Sequence, residues 1–197
     1  LIKKIYEIGF FAIDTETDSI KAVEANLIGI SLSCEEKIAY YLPINHTKLE
    51  KGEKQLSLDT VIKMIGPLLE DPSLIKIGQN LKYDILVLQN NGFSKIISVD
   101  DTMLLSNALN AGIHNHNLDL LAEKYLGLEK LKYKNLVGTG KKEIPFQEVN
   151  IKSACLYACE DADVTLRLWK IFRGLLVKNK LISFYQSIEK PFIHVVV

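Results

Sequence analysis

Four acidic residues and one tyrosine carry the chemistry that this sequence offers. They lie in three short segments: Asp14 and Glu16 in F-F-A-I-D-T-E-T-D, Asp84 in G-Q-N-L-K-Y-D, and Tyr157 and Asp161 in Y-A-C-E-D-A-D. If a fold brings the segments together, four carboxylates meet in one pocket, and their repulsion raises their pKa values unless cations neutralise them. Two divalent metal ions about 3.5–4 Å apart are the machinery of phosphodiester chemistry. The residue types therefore predict a two-metal site.

Each segment also has a purely structural interpretation. Asp14 and Glu16, two residues apart on an extended chain, can reach one metal ion from the carboxyl end of a strand, but D-T-E-T-D also suits a polar turn. Asp84 in the first turn of a helix would favour the helix dipole. Tyr157 and Asp161 share one face of a helix, and that face could be no more than acidic surface. Only the combination of the three segments favours a site.

Hydrophobic periodicity predicts the elements that would position these residues. Strands are expected over 10–13, 26–33, 38–42, 74–77 and 96–99, and helices over 58–69, 81–90, 102–110, 118–126 and from residue 151 onward. The first three strands suggest an antiparallel meander. Asn80 is expected to cap the second helix, and residues 130–142 are expected to form a basic, glycine-containing loop. The order β-β-β-α-β-α-β-α-α-α predicts a mixed sheet covered by helices.

Composition narrows the class of protein without identifying a partner. The 197 residues are enough for one large domain, and 24 basic residues balance 24 acidic ones, so the basic signature of a nucleic-acid binder is absent. Three cysteines without a C-x-x-C pair argue against a disulfide framework or a zinc site and fit a reducing cytosol. The apolar runs are too short for a membrane span. The missing initiator Met and the apolar end F-I-H-V-V-V suggest a piece of a longer chain.

Taken together, the segments F-A-I-D-T-E-T-D, G-Q-N-L-K-Y-D and Y-A-C-E-D-A-D-V-T-L resemble the three exonuclease motifs of the proofreading domain of bacterial DNA polymerase I, family A. That domain belongs to the DEDD exonucleases with a tyrosine in the third motif. The resemblance implies an α/β, RNase H-like (DnaQ-like exonuclease) fold, with a mixed five-stranded sheet flanked by helices. It also implies an exonuclease domain over 1–186, and a segment over 187–197 that begins the helix leading to a polymerase domain.

The same resemblance implies a role for each motif residue. Asp14, Glu16 and Asp161 would hold one metal ion, and Asp14 and Asp84 would hold the second. The ions would be Mg²⁺ or Mn²⁺, with Zn²⁺ at one site as an alternative. Glu16 and Tyr157 would orient the attacking water, and hydrolysis from the 3′ end of DNA would release deoxynucleoside 5′-monophosphates. A tyrosine pKa near 10 favours positioning of the water over service as a base.

The substrate and partners follow from the resemblance too. The expected substrate contacts are Thr17, Ile20, Gln79, Asn80, Tyr83 and Tyr133. Tyr133 sits among lysines, which suits stacking against single-stranded DNA, although those lysines could equally form a solvated loop. His114 and His116 are expected in a loop before an N-cap at Asn117. The expected partners are a single-stranded DNA 3′ end and the polymerase domain of the same chain, with no membrane, in a monomer of the bacterial cytoplasm associated with the nucleoid.

Two other functions remain open from the sequence. An RNA-trimming exonuclease of the same fold would use the same carboxylates, and the rates on DNA and RNA ends would distinguish it. A catalytically silent scaffold of a polymerase would have lost some of them, whereas here all four acids and the tyrosine are present.

Overall fold

Five strands form one mixed sheet in the computed structural model, which describes residues 1–113 and 115–195, except for the side chains at 141, 194 and 195. The strands are β1 Phe10–Thr17, β2 Leu27–Glu35, β3 Ile38–Pro43, β4 Ile75–Gly78 and β5 Val99–Asp101. Their order in the sheet is β3-β2-β1-β4-β5. The pairs β1–β2 and β2–β3 are antiparallel, while β1–β4 and β4–β5 are parallel. The predicted mixed five-stranded sheet and its opening meander are both confirmed.

Helices surround the sheet. They are α1 Ile2–Ile8, α2 Leu58–Glu70, α3 Leu81–Asn90, α4 Thr102–Asn110, α5 Leu118–Leu126, α6 Tyr133–Val137, α7 Ile151–Lys178, α8 Ile182–Phe184 and α9 Phe192–Val195. A π-helical segment, Tyr185–Glu189, joins α8 to α9. The periodicity did not predict α1, which is only seven residues long and ends at Gly9 with a φ of 83°. A glycine reaches this left-handed conformation without the steric cost that other residues carry.

The two faces of the sheet bury different cores, and β1 contributes to both. Phe11 and Ile13 belong to the core that is shared with α1, α2 and α3. Ala12 belongs to the core that is shared with α4, α5 and α7. Because side chains alternate along a strand, residues of β1 in register with Ala12 face α7. This alternation fixes the direction in which the acidic residues that follow will point.

Beta strand β1 is longer than the apolar run over 10–13 predicts. The strand continues through the polar residues to Thr17, because β2 pairs with it along that whole length. Asp14 pairs with Ser31 and Glu16 pairs with Gly29. Tertiary pairing has therefore kept extended a segment whose composition also suited a turn.

Two other predicted elements differ from the structure. The strand predicted over 96–99 begins at Val99, because Ser98 has a φ of 54° and cannot continue an extended chain. Ile96 is buried in the core outside any strand. The predicted loop over 130–142 contains α6, which buries Val137 against Phe146. A five-residue helix with only one or two apolar residues on its buried face gives too weak a periodic pattern to be predicted from sequence.

The end of the described chain packs on the domain. Tyr185 and Ile193 are both buried, so residues on either side of position 186 contribute to the cores. The division into 1–186 and 187–197 stays a prediction, and residues 196 and 197 lie outside the described part. Within the described residues, no helix is both long enough and apolar enough to cross a lipid bilayer.

Candidate active site

Beta strand β1 presents Asp14 and Glu16 on the face that looks toward α7. Both residues keep the register of Ala12, whose side chain lies in the core under that helix. Strand β4 pairs with β1 only as far as Ala12. Beyond that point the edge of β1 is open to side chains from other elements. The acidic residues therefore lie where the parallel part of the sheet ends, which is where ligands bind in open α/β sheets.

Helix α3 brings Asp84 to this open edge. Its Oδ1 accepts hydrogen bonds from the backbone N of Thr15, at 3.0 Å, and from the Thr15 hydroxyl, at 2.6 Å. Asp84 is only 3% exposed. The two bonds tie the first turn of α3 to the middle of β1, and so hold Asp84 beside Asp14 and Glu16.

The start of α3 is capped by Asp101, and not by the side chain of Asn80. Asn80 occupies the N-cap position, but its φ is 59° and its side chain makes no cap hydrogen bond. Instead, the Asp101 carboxylate accepts bonds from the N–H groups of Asn80, at 3.1 Å, and Leu81, at 2.8 Å. The same carboxylate accepts from Met103 N at 2.8 Å and thereby caps α4. No local sequence pattern signals a cap supplied from twenty residues away, so sequence reasoning missed Asp101.

Helix α7 contributes Tyr157 and Asp161 from one face, as the spacing predicts. Asp161 is buried and forms an ion pair with Lys130. The Lys130 ammonium also lies 3.4 Å from Asp119 and 5.6 Å from the centre of the Tyr157 ring. The structure thus adds a buried cation to the acids that the motifs predict.

The four carboxylates interact strongly enough to change their acidity. Burial, followed by the negative charges of Asp84, Glu16 and Asp161, raises the pKa of Asp14 well above its ordinary value. Burial and the charges of Asp161 and Asp84 do the same to the pKa of Glu16. Lys130 opposes both shifts. The structure therefore brings all four predicted acids into one electrostatic cluster.

Burial also dominates at the other members of the site. It raises the pKa of Asp84 to about 7, against the opposing hydrogen bonds from Thr15. It raises the pKa of Asp161 to about 6, against the opposing charge of Lys130. The pKa of the Tyr157 hydroxyl is raised far above its ordinary value by burial and by the charge of Asp161. The raised pKa favours a neutral Tyr157 hydroxyl, which can position other groups by hydrogen bonding.

The donor chemistry fits a hard divalent cation. All four acids offer carboxylate oxygens, the ligands that Mg²⁺ and Mn²⁺ prefer. The buried Oε1 of Glu16 has no hydrogen-bond partner in the part of the chain that the structure describes. Among the described residues, no three Asp, Glu, His or Cys side chains stand ready to hold a metal ion as they are arranged. Asp84 is turned to Thr15 and Asp161 to Lys130. A cation bound here would compete with Lys130 for the Asp161 carboxylate, whereas the two bonds from Thr15 use only Oδ1 of Asp84.

A cleft of about 380 Å³ opens beside Glu16. Four of the predicted substrate contacts line it, namely Thr17, Ile20, Tyr83 and Tyr133. The hydroxyls of Thr17 and Tyr83 lie 2.6 Å apart and brace this wall. Ile20 is 96% exposed at the mouth. The cleft therefore joins Glu16 of the acidic cluster to an exposed apolar side chain and two aromatic rings.

Gln79 and Asn80 do not line this cleft. Gln79 is engaged on the protein side, where its amide donates to the carbonyl of His116 at 2.8 Å and accepts from the Thr102 hydroxyl. Asn80 lines a separate pocket with Asp101 and Glu189. Their substrate contacts stay predictions. His114 lies outside the described residues, whereas Asn117 caps α5 through a bond from Leu120 N at 2.9 Å, as predicted.

Phe146, which lies outside the three motifs, packs against the aromatic side chains beside the cleft. The Tyr133 ring stacks with Phe146 at 6.3 Å, nearly parallel, and meets Tyr157 edge-on at 6.0 Å. Phe146 is buried and also contacts the His46 ring. Phe146 therefore connects a predicted substrate residue to a predicted catalytic one. A lone phenylalanine in a loop carries no sequence signal of such a role.

Comparison with known proteins identifies the family of this chain. The family model for the 3′-5′ exonuclease matches residues 1–176. DNA polymerase I of Rhizobium leguminosarum is 39% identical over 203 residues, which cover 95% of this chain and 20% of that protein. The chain thus spans about a fifth of the length of the curated relatives that it matches.

Solved structures show the same architecture at low identity. Escherichia coli RNase D, an exoribonuclease involved in structured RNA processing, has a TM-score of 0.73 and 16% identity, covering 100% of this chain and 47% of that one. Brucella melitensis NrnC with bound Mg²⁺ has a TM-score of 0.68 and 20% identity, covering 98% and 85%. These likenesses concern the fold, which is RNase H-like as predicted. With the family model matching most of its length, the chain belongs to the 3′-5′ exonuclease family.

Proposed function

We propose that this chain is the proofreading domain of a family A DNA polymerase, and that it removes nucleotides from the 3′ end of DNA with two divalent metal ions. The observation that carries the proposal is the convergence of Asp14, Glu16, Asp84 and Asp161 on one cluster, where each of the other three raises the pKa of Asp14. Mutual repulsion of this kind is relieved when cations bind.

The resemblance to the DEDD exonucleases supplies the proposed ligand sets. Asp14, Glu16 and Asp161 would hold one cation, and Asp14 and Asp84 would hold a second. The electrostatic contact of Asp14 with the other three acids is consistent with both sets. Among the described residues Glu16 Oε1 has no hydrogen-bond partner, so it would be available to a cation. Mg²⁺ or Mn²⁺ suits these all-oxygen sites, and Zn²⁺ is an alternative at the Asp161 side.

Bound divalent ions would neutralise the phosphate, lower the pKa of the attacking water and stabilise the leaving 3′ oxygen. Glu16 and Tyr157 would orient that water for in-line attack. Because burial keeps the Tyr157 hydroxyl protonated, it donates or accepts a hydrogen bond and does not remove a proton. The product is a deoxynucleoside 5′-monophosphate.

The cleft beside Glu16 would receive the terminal nucleotide. Ile20 and Tyr133, exposed by 96% and 45%, offer apolar and aromatic faces against which bases can stack. Thr17 and Tyr83 would line the path of the strand, with Gln79 and Asn80 beyond them. The chain has no excess positive charge, so a neighbouring polymerase domain of the same parent chain would supply much of the grip on DNA. Such a protein would act in the bacterial cytoplasm, in association with the nucleoid.

RNA trimming is the second candidate function. It is favoured by the fold of Escherichia coli RNase D, which this chain shares at a TM-score of 0.73. The relatives named DNA polymerase I have the higher identity, 39% for that of Rhizobium leguminosarum, and they favour DNA.

Digestion of labelled single-stranded oligonucleotides tests the proposal. We expect mononucleotides to be released from an open 3′ end of DNA in Mg²⁺ or Mn²⁺, and not in EDTA or from a 3′-blocked strand. Faster digestion of a matched RNA strand would favour the trimming function instead. No release from either strand, with or without the polymerase domain attached, would leave the silent scaffold as the function.

A further inference from the structure

Lys130 places a buried ammonium group inside the acidic cluster. Its side chain is 2% exposed, and its Nζ atom forms an ion pair with Asp161 and lies 3.4 Å from Asp119. The Tyr157 ring closes the site from a third side, with its centre 5.6 Å from Nζ. A lysine so deeply buried is costly unless partners satisfy its charge. Here the partner is an acid that the proposed function assigns to a metal ion.

The neighbouring lysine shows how specific this position is. Lys132 also pairs with Asp119, at 3.0 Å, but its side chain is 48% exposed and does not reach Asp161. Lys130 alone of the two acts on the cluster, where its charge opposes the rise in pKa of Asp14 and Glu16. The ammonium of Lys130 therefore does electrostatically, in part, what a bound cation would do.

We propose that Lys130 is a built-in counterion, which holds the Asp161 side of the cluster in the metal-free protein and moves toward Asp119 when a divalent cation binds. This inference rests on the proposed metal-dependent function. A divalent ion bound to Asp161 would compete with Lys130 for the same carboxylate, and an ammonium beside a divalent ion is repelled. Asp119 is already within reach of the same Nζ atom and offers it a partner after displacement.

The backbone beside Lys130 is anchored by a hydrogen bond, so the proposed displacement would involve the Lys130 side chain and not the backbone. Leu131 N donates to the Glu160 carboxylate at 2.7 Å, which anchors this segment to α7. A lysine has a flexible four-carbon stem that can swing its charge between two acids. The displacement would release the contact of Nζ with the Tyr157 ring and leave that residue free to meet the substrate. Lys130 would therefore lower the affinity for metal and protect the metal-free cluster from its own repulsion.

Calorimetric titration of Mn²⁺ into the wild-type chain and a Lys130→Met variant tests this inference. The Lys130 ammonium and a bound Mn²⁺ would compete for Asp161 and repel each other. Because the variant lacks the ammonium, we expect it to bind the first Mn²⁺ about tenfold more tightly. In EDTA, its melting temperature should fall below that of the wild type. Lys132→Met is the matched control, with the same change at a lysine that shares Asp119, and should alter the Mn²⁺ affinity less than about twofold.

Each outcome of the titration has a defined meaning. If wild-type protein binds Mn²⁺ and Lys130→Met binds it with equal or lower affinity, the counterion role is wrong and the metal-dependent function stands. If wild-type protein binds neither Mn²⁺ nor Mg²⁺, both proposals fail.

Amine labelling provides a second readout on the unaltered chain. Lys130 should react slowly with an acylating reagent in EDTA and faster in saturating Mn²⁺, as measured by peptide mass spectrometry, because its ammonium leaves the cluster. Lysines far from the cluster, such as Lys3, should label at the same rate in both conditions. Equal labelling of Lys130 with and without Mn²⁺, under conditions where calorimetry shows binding, would overturn the displacement.

Discussion

Asp84 and Thr15 are joined by two hydrogen bonds to one carboxylate oxygen, one from the backbone N at 3.0 Å and one from the hydroxyl at 2.6 Å. Thr15 lies between Asp14 and Glu16, so this contact sets the position of α3 relative to both β1 acids. Asp84 thereby has two duties, a structural one through its Oδ1 and one in the proposed metal site.

Thr15→Val removes the hydroxyl donor and keeps the β-branched shape. We expect the free energy of unfolding to fall by about 1–2 kcal/mol, because a buried carboxylate loses one of two partners. Urea denaturation in EDTA measures the change. Thr47→Val is the control, since the Thr47 hydroxyl donates to a carbonyl in an exposed position, and it should cost about 0.5 kcal/mol or less. Equal losses in the two variants would contradict a special role for the contact.

Asp101→Ala should be among the most destabilising polar substitutions in the chain. It leaves the first N–H groups of α3 and α4 without acceptors, and we expect a loss of about 2–4 kcal/mol in the free energy of unfolding. Ser57→Ala removes the single cap of α2, a bond of 3.3 Å from Thr60 N in an exposed position, and should cost about 1 kcal/mol or less. A loss at Asp101 no greater than that at Ser57 would show that the double cap is not essential.

Gly29 is required because Tyr41 packs over it. A Cβ at Gly29 would overlap the Tyr41 hydroxyl, which is held at 2.7 Å from His46 Nε2. Gly29→Ala should cost about 1–3 kcal/mol through this overpacking. Gly174→Ala in α7 meets no heavy atom of the described residues within 4 Å and should instead stabilise the chain by about 0.5–1 kcal/mol. Thermal unfolding of both variants should therefore shift in opposite directions.

The acidic cluster makes the metal-free protein less stable as the pH rises. The folded state raises the pKa of Asp84 to about 7 and that of Asp161 to about 6, so it binds protons that the unfolded chain has already lost. The resulting stability is fully present below about pH 4 and disappears as the pH rises through about 7. In EDTA, we expect the free energy of unfolding to drop by about 1–3 kcal/mol between about pH 5 and about pH 8.

Two measurements check this explanation of the pH dependence. Asp84→Asn should flatten the decline, because its amide cannot ionise. Adding Mg²⁺ should oppose or reverse the decline, because cation binding requires ionised carboxylates. An identical slope in wild type and Asp84→Asn would mean that other groups cause it.

Substitution of Asp84 distinguishes an effect on cleavage from an effect on stability. Asp84→Asn keeps an oxygen that can accept from Thr15 but removes the charge that the proposed second cation needs. We expect cleavage of a single-stranded DNA 3′ end to fall about 100-fold or more, while metal-free stability at neutral pH is maintained or increased because a like charge is gone. Asp84→Ala should lose cleavage too, at a greater cost in stability. Undiminished cleavage by either variant would refute the proposed role.

The sequence by itself determined which residues could do chemistry and most of the elements that carry them. Periodicity located α3, α4 and α5 at their observed bounds, because strongly periodic segments are local signals. The three motifs together pointed to the fold and the family that the comparisons show. The spacing of Tyr157 and Asp161 was enough to place them on one face of α7.

Only the tertiary structure decided how these residues meet and what else is present. Pairing with β2 extends β1 through Asp14 and Glu16, a capping carboxylate reaches α3 from β5, and Lys130 enters the cluster from a segment whose composition suited a solvated loop. These are contacts between residues distant in the chain, and their energies depend on burial and charge that no local pattern contains. For that reason the sequence indicated a cation site, but not that a lysine of the chain already pairs with one of its acids.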